Sequence, residues 1–156
     1  MILNESAKLL FDSYLIDEIP PVDEYPIWKK TDPFGRMYYG VSDFNGLDSN
    51  IEKDSDLSWL EWAGNDVYLG SPDRNDIMML FRKAVGIMKS WQTQLIKDFP
   101  NERFVIFAYF NDDVEYSENS DLGIAFTMRF WKIREGQGFV NESTESDLPV
   151  LKIIIG

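Results

Sequence analysis

The stretch SPDRNDIMMLFRKAVGIMKSWQTQLIKDFP, residues 71–100, decides how the rest of the chain is read. Apolar side chains recur at Ile77, Leu80, Phe81, Ala84, Ile87, Met88, Trp91 and Leu95, the spacing that places them on one face of an α-helix. Lys83, Lys89 and Lys97 fall largely off that stripe. Ser71 or Asp73 can cap the start, Pro72 suits a first helical position, and Pro100 stops the run. The spacing predicts a helix from about Asp73 to about Phe99. Such a stripe needs an apolar surface to cover it. RFVIFAYF (103–110), LGIAFTMRFWKI (122–133) and VLKIII (150–155) read as the strands that supply it. The first is apolar on both faces, as expected of a central strand covered on each side.

Upstream, SAKLLFDSYL from Ser6 has the spacing of a short amphipathic helix. IPPVDEYP (19–26) ends it, because its three prolines favour extended backbone. RMYYGV (36–41) reads as a strand, and the polar stretch 43–56 as a loop. LSWLEW (57–62) and DVYLG (66–70) read as a hairpin turning at Ala63, Gly64 and Asn65. With no strand–helix–strand repetition, the order predicts a single α+β domain over 1–156, a mostly antiparallel sheet packed by one long helix.

Composition then narrows function. The 156 residues contain no cysteine, which excludes disulfides, zinc–thiolate sites, iron–sulfur clusters and cysteine nucleophiles. They contain no histidine, which removes the commonest general base and every Ser–His or Cys–His pair. The net charge is −12, unevenly spread. Residues 1–73 carry 15 acids and 5 bases, residues 74–97 carry 1 acid and 5 bases, and residues 98–156 carry 11 acids and 5 bases. Nucleic acid and anionic membrane are disfavoured as partners, because both are bound by Lys and Arg. A basic partner is favoured, since complementary fields speed encounter and select orientation. The N-terminal segment has no basic n-region or long apolar core, and no run approaches the roughly 18 apolar residues of a membrane span. These features lead us to expect a cytoplasmic protein.

The densest acidic segment is NDDVEYSENSD, residues 111–121, with five carboxylates between two apolar runs. DFNGLDSNIEKD (43–54) is the second acidic segment. Neither satisfies an EF-hand, which needs glycine at loop position six and glutamate at twelve. From Asp48 those places hold Lys53 and Trp59, and from Asp43 they hold Asp48 and Asp54. The chain has no G-x-S-x-G elbow, no P-loop and no dinucleotide fingerprint, and GQG (136–138) reads as a turn. Nothing in these motifs asks for a cofactor or metal. Trp59, Trp62, Trp91 and Trp131 read as core anchors, and Arg129 and Arg134 as partners of local carboxylates. The 111–121 segment is longer than a hairpin tip needs, and it sets Tyr116 among the acids in the manner of an interface anchor.

From FVIFAYFNDD through the acidic segment to TMRFWKIREGQGF, the chain resembles small bacterial immunity proteins of polymorphic-toxin and contact-dependent-inhibition systems. The resemblance covers roughly the C-terminal half. It implies a cytoplasmic, acidic, non-catalytic protein that binds one cognate toxin domain, frequently a basic nuclease, and occludes its active or substrate-binding surface. It carries no residue-level contacts. Charge clustering alone selects Asp112, Asp113, Glu115, Tyr116, Glu118 and Asp121 as partner-binding residues, with Asp48, Glu52, Asp54 and Asp56 as a second set. A calcium-dependent or carbohydrate-linked binding domain is the alternative, and a carboxylate-based hydrolase the third reading.

Overall fold

The computed structural model describes residues 1–41, 52–116, 122–136 and 147–156. In chain order these form β1 (Ile2–Leu3), α1 (Glu5–Leu10), α2 (Ser13–Glu18), β2 (Ile27–Thr31), β3 (Met37–Val41), α3 (Asp54–Gly64), β4 (Val67–Ser71), a 3₁₀ turn (Arg74–Asp76), α4 (Ile77–Asp98), β5 (Phe104–Val114), β6 (Gly123–Lys132) and β7 (Val150–Ile155). Five strands make one antiparallel sheet in the order β1-β7-β5-β6-β4, and β2 pairs with β3 in a separate ribbon. This is the α+β architecture that the sequence predicts.

The long helix packs on one face of the sheet. Leu80, Phe81, Ala84, Ile87, Met88, Trp91 and Leu95 are all buried against it. Alternate residues supply the facing surface: Phe104, Ile106, Ala108 and Phe110 on β5, and Ile124, Phe126, Met128 and Phe130 on β6. Phe11 stacks on Phe81 with ring centroids 4.2 Å apart, which ties the N-terminal helices into the same core. Burial of each such side chain contributes about 1.5–3 kcal/mol. The intervening residues Val105, Phe107, Trp131 and Val150 form a smaller cluster on the opposite face, with Trp62, Tyr109 and Ile133 packed around it. β5 is therefore covered on both sides, as its unbroken apolar run implies.

The start of α4 is tighter than the periodicity suggests. Asp73 accepts a hydrogen bond from the Asn75 amide and opens the 3₁₀ turn, from which the α-helix continues. The extended segment 19–26 then lies along α4 as a strap. The Val22 amide donates to the Gly86 carbonyl (2.9 Å), Lys89 Nζ donates to Ile19 O (2.7 Å), Trp91 Nε1 to Tyr25 O (2.9 Å), and Gln94 brackets both backbone groups of Ile27. Gly86 makes this approach possible. A Cβ there would lie 2.5 Å from a Val22 methyl and 3.0 Å from the Pro20 carbonyl.

Four expectations are corrected. The N-terminal helix is two short helices, because Asp12 caps a second start immediately after Phe11. Residues 57–62 are not a strand; they lie inside α3. The buried positions of α3 are Leu57, Ser58, Glu61 and Asn65, a helical spacing hidden from a hydrophobicity reading because three of the four are polar. Trp59 is more than half exposed and Trp62 half-buried, so only Trp91 and Trp131 are fully buried anchors. Finally, β5 continues through Val114, so the first four residues of the acidic segment belong to a strand. The pairing of β5 with β6 shifts register between Asn111 and Val114.

Candidate functional site

The two acidic sets lie at opposite ends of the sheet. Asp112 and Asp113 end β5 and Glu115 follows it, all three with exposed side chains. The backbone here is held: Arg74 Nη2 donates to Asp112 O (2.7 Å), Arg74 Nε to Leu122 O (3.0 Å), and Asn111 Oδ1 accepts from the Asp113 amide (2.9 Å). Arg74 thus binds both sides of the β5–β6 connection through carbonyls and leaves the carboxylates to solvent. Glu118 and Asp121 lie outside the described residues, as does Asp48.

Tyr116 is not a free-standing anchor. Its hydroxyl donates to Ile124 O (2.8 Å) and lies 3.1 Å from the Tyr68 hydroxyl. Its ring rests where Gly70 and Gly123 leave room: a Cβ on Gly70 would meet the phenol oxygen at 1.9 Å, and one on Gly123 would meet the ring at 2.5 Å. Burial, followed by the contact with Tyr68, pushes the Tyr116 hydroxyl up to about 12. The result is a fixed pair of phenols beside the exposed carboxylates, with Tyr68 itself 53% exposed.

Two residues before Tyr68, immediately ahead of β4, stands Asp66. Its Oδ1 lies 2.9 Å from Arg129 Nε, off the N–H direction, so the contact is one of charge rather than a directed hydrogen bond. The Arg129 guanidinium lies 4.3 Å from the Trp62 ring and 6.0 Å from that of Tyr109. Burial pushes the Asp66 carboxyl up, and Arg129 offsets this only in part. Tyr68, Tyr116 and the exposed acids at the end of β5 therefore share the β5–β6 turn end of the sheet, whereas Asp66 and Arg129 lie at the other end of the β4–β6 pairing.

The second set behaves differently. Asp54 and Asp56 are not loop residues but sit in the first turn of α3, where negative charge favours the helix. Asp56 accepts from the Lys53 amide (3.2 Å), and Asp54 lies 3.7 Å from Arg36 Nη1. Glu52 and Asp54 border an open depression with Phe34, Arg36 and Lys53. One turn further along α3, Ser58 donates to Lys132 O, whereas Tyr116 binds Ile124. Eight residues of β6 separate those anchor points, roughly 26 Å at ~3.3 Å per residue. The sets are not one surface.

At the α3 end lies a buried charge centre with structural duties. Glu61 is fully buried and receives Arg134 Nη1 and Nη2 (2.8 Å each), the Tyr39 amide (3.0 Å) and the Lys132 amide (2.7 Å). Asn65 adds bonds to Val41 N, Tyr39 O and Phe130 O. Burial pushes the Glu61 carboxyl up, while Arg134 and the two amides pull it back. Every acceptor site here is taken by the protein itself, so the centre joins ribbon to sheet rather than serving a substrate. The sequence reading matched Arg129 and Arg134 to carboxylates, but as surface pairs; both arginines are buried.

Sequence reasoning missed Tyr68 as a neighbour of the acidic segment. The signal was present in DVYLG, whose alternation sets Asp66, Tyr68 and Gly70 on one face, a strand glycine often marking close approach by another group. Among the described residues, no group of three or more acidic side chains could hold a metal ion, and no helix is long and apolar enough to cross a membrane. No family model, curated protein or solved structure matches this chain.

Proposed function

We propose that this chain is a non-catalytic acidic binding protein, an immunity protein that neutralises a basic, nuclease-type toxin domain by covering its active or substrate-binding surface. The observation that carries the reading is the cluster at the β5–β6 turn end: exposed Asp112 and Asp113 at the end of β5 and Glu115 just beyond it, beside the hydrogen-bonded phenols of Tyr68 and Tyr116. Interface energy concentrates in a few aromatic and charged residues held in place before binding. A nuclease must present Lys and Arg to phosphates, and the same cations complement these carboxylates. Mechanism is then steric and electrostatic, with no chemistry on the inhibitor.

The test is to co-express the chain with the product of the neighbouring open reading frame and, where a basic partner is recovered, to measure affinity over a salt series. Neutralising the five carboxylates of 111–121 together should weaken binding by at least about tenfold and flatten its salt dependence. Unchanged affinity and slope would remove this cluster from the interface. A calcium-dependent rise in melting temperature, with no protein partner, would move the reading to a metal-dependent binding module.

A further inference from the structure

On the far side of α4 from the sheet, a cavity of about 380 Å³ opens between that helix, α2 and the strap. Its volume falls within the range of small-molecule sites. Leu15, Ile19, Pro20 and Val22 give it an apolar wall. The walls are fixed from both ends: Val22 is bonded to Gly86, and Lys89 holds the carbonyl of Ile19. On one side Glu24 and Lys83 close on each other at 2.9 Å, so these two rim charges neutralise one another.

Arg82 remains. It borders the cavity, is exposed, and has no hydrogen-bond or ion-pair partner among the described residues. It stands on a 22-residue helix whose neighbouring positions, Phe81, Ala84 and Val85, are buried, so its backbone is held rigidly. Glu18, the other unmatched rim charge, is the last residue of the six-residue α2 and springs from a less constrained base. A guanidinium also offers a carboxylate two parallel hydrogen bonds, which Glu18 cannot match toward an ammonium. We propose that this cavity binds a small amphipathic monocarboxylate, its apolar body against Leu15, Ile19, Pro20 and Val22 and its carboxylate paired with Arg82. The site is separate from the acidic rim and does not depend on the toxin-binding reading.

Titration of the full chain with octanoate, followed by two-dimensional amide NMR, tests this. Saturable shifts should appear in residues 15–24 and 79–86. Arg82→Ala should weaken octanoate about tenfold, the effect of losing one charge-assisted pair. Leu15→Trp, at the half-buried rim, should abolish the shifts by filling the cavity while leaving the melting temperature near that of the parent. Octylamine and octanol should bind more weakly than octanoate. Equal or tighter binding of the amine or the alcohol would overturn the carboxylate assignment. An absence of saturable shifts, or shifts that survive Leu15→Trp, would overturn the site itself.

Discussion

On one face of the sheet α4 packs through Phe81, Ile87, Met88 and Trp91, whereas α3 binds the backbone edge of β6 beyond its pairing with β4, through Ser58, Glu61 and Asn65. Both helices bury a continuous stripe, but what holds each stripe differs. The α4 contact is apolar, tolerant of small adjustments, and stabilised by area removed from water. The α3 contact is directional. Glu61 meets amides from two separate strand systems, Tyr39 of the ribbon and Lys132 of the sheet, while Asn65 spans the same gap. A hydrophobic interface sets proximity; a saturated polar one sets register. The ribbon β2–β3 pairs with no strand of the main sheet, and this joint fixes where it sits.

The comparison breaks most readily at Glu61. Glu61→Ala should destabilise the fold by about 3–5 kcal/mol, because it leaves the Arg134 guanidinium buried without its counter-charge. Replacing both partners, Glu61→Leu with Arg134→Met, should recover much of that loss. Urea denaturation of the single and double variants measures both. A single-variant loss below about 1 kcal/mol would mean that α3 is held by something other than this joint. A smaller effect sharpens the contrast between the two contacts. Asn65→Ala should cost about 1–3 kcal/mol by stranding backbone groups of Tyr39, Val41 and Phe130, whereas Ile87→Val on the α4 face should cost about 0.5–1.5 kcal/mol. If the two losses were equal, the polar contact would have no special standing.

The smallest effect concerns the aromatic rim. Tyr116 and Tyr39 are both pushed up to about 12, in each case chiefly by burial. Each therefore stays neutral in the folded protein while an unfolded tyrosine ionises near 10. The stability these phenols contribute is complete below pH 10 and is lost as pH rises from about 10 to about 12. Burial also pushes the Tyr38 hydroxyl up, so spectrophotometric titration should show at least these tyrosines ionising late in the folded chain, and Tyr116→Phe should remove one of them. Tyr116→Phe should also cost about 1 kcal/mol for its hydrogen bond to Ile124.

What was legible in the sequence follows the same division. The stripe from Ile77 to Leu95 and the two-sided run from Phe104 to Phe110 announced α4 and β5, because apolar periodicity is written directly in residue types. α3 was hidden because, besides Leu57, the residues buried on it and at its C-cap are the polar Ser58, Glu61 and Asn65, and its aromatic Trp59 points outward; apolar content marks the wrong face. β1 and β2 were missed because one has two residues and the other carries Lys29 and Lys30 on an exposed ribbon. The acidic segment was legible as a charge cluster, but its neighbour Tyr68 reaches it only through the pairing of β4 with β6, a contact set by tertiary register.

The strand order carries a consequence for the timing of assembly. β7, residues 150–155, lies between β1 at the N-terminus and the central β5. As the chain leaves a ribosome, Ile2 and Leu3 therefore wait for residues 150–155 to emerge before their partner strand exists. Until then the edge of β5 that β7 will occupy stays open, and Ile106 and Ala108 lack the cover of Leu151 and Ile153. β7, made after every other described strand, completes the middle of the sheet, so closure of the core is a long-range event.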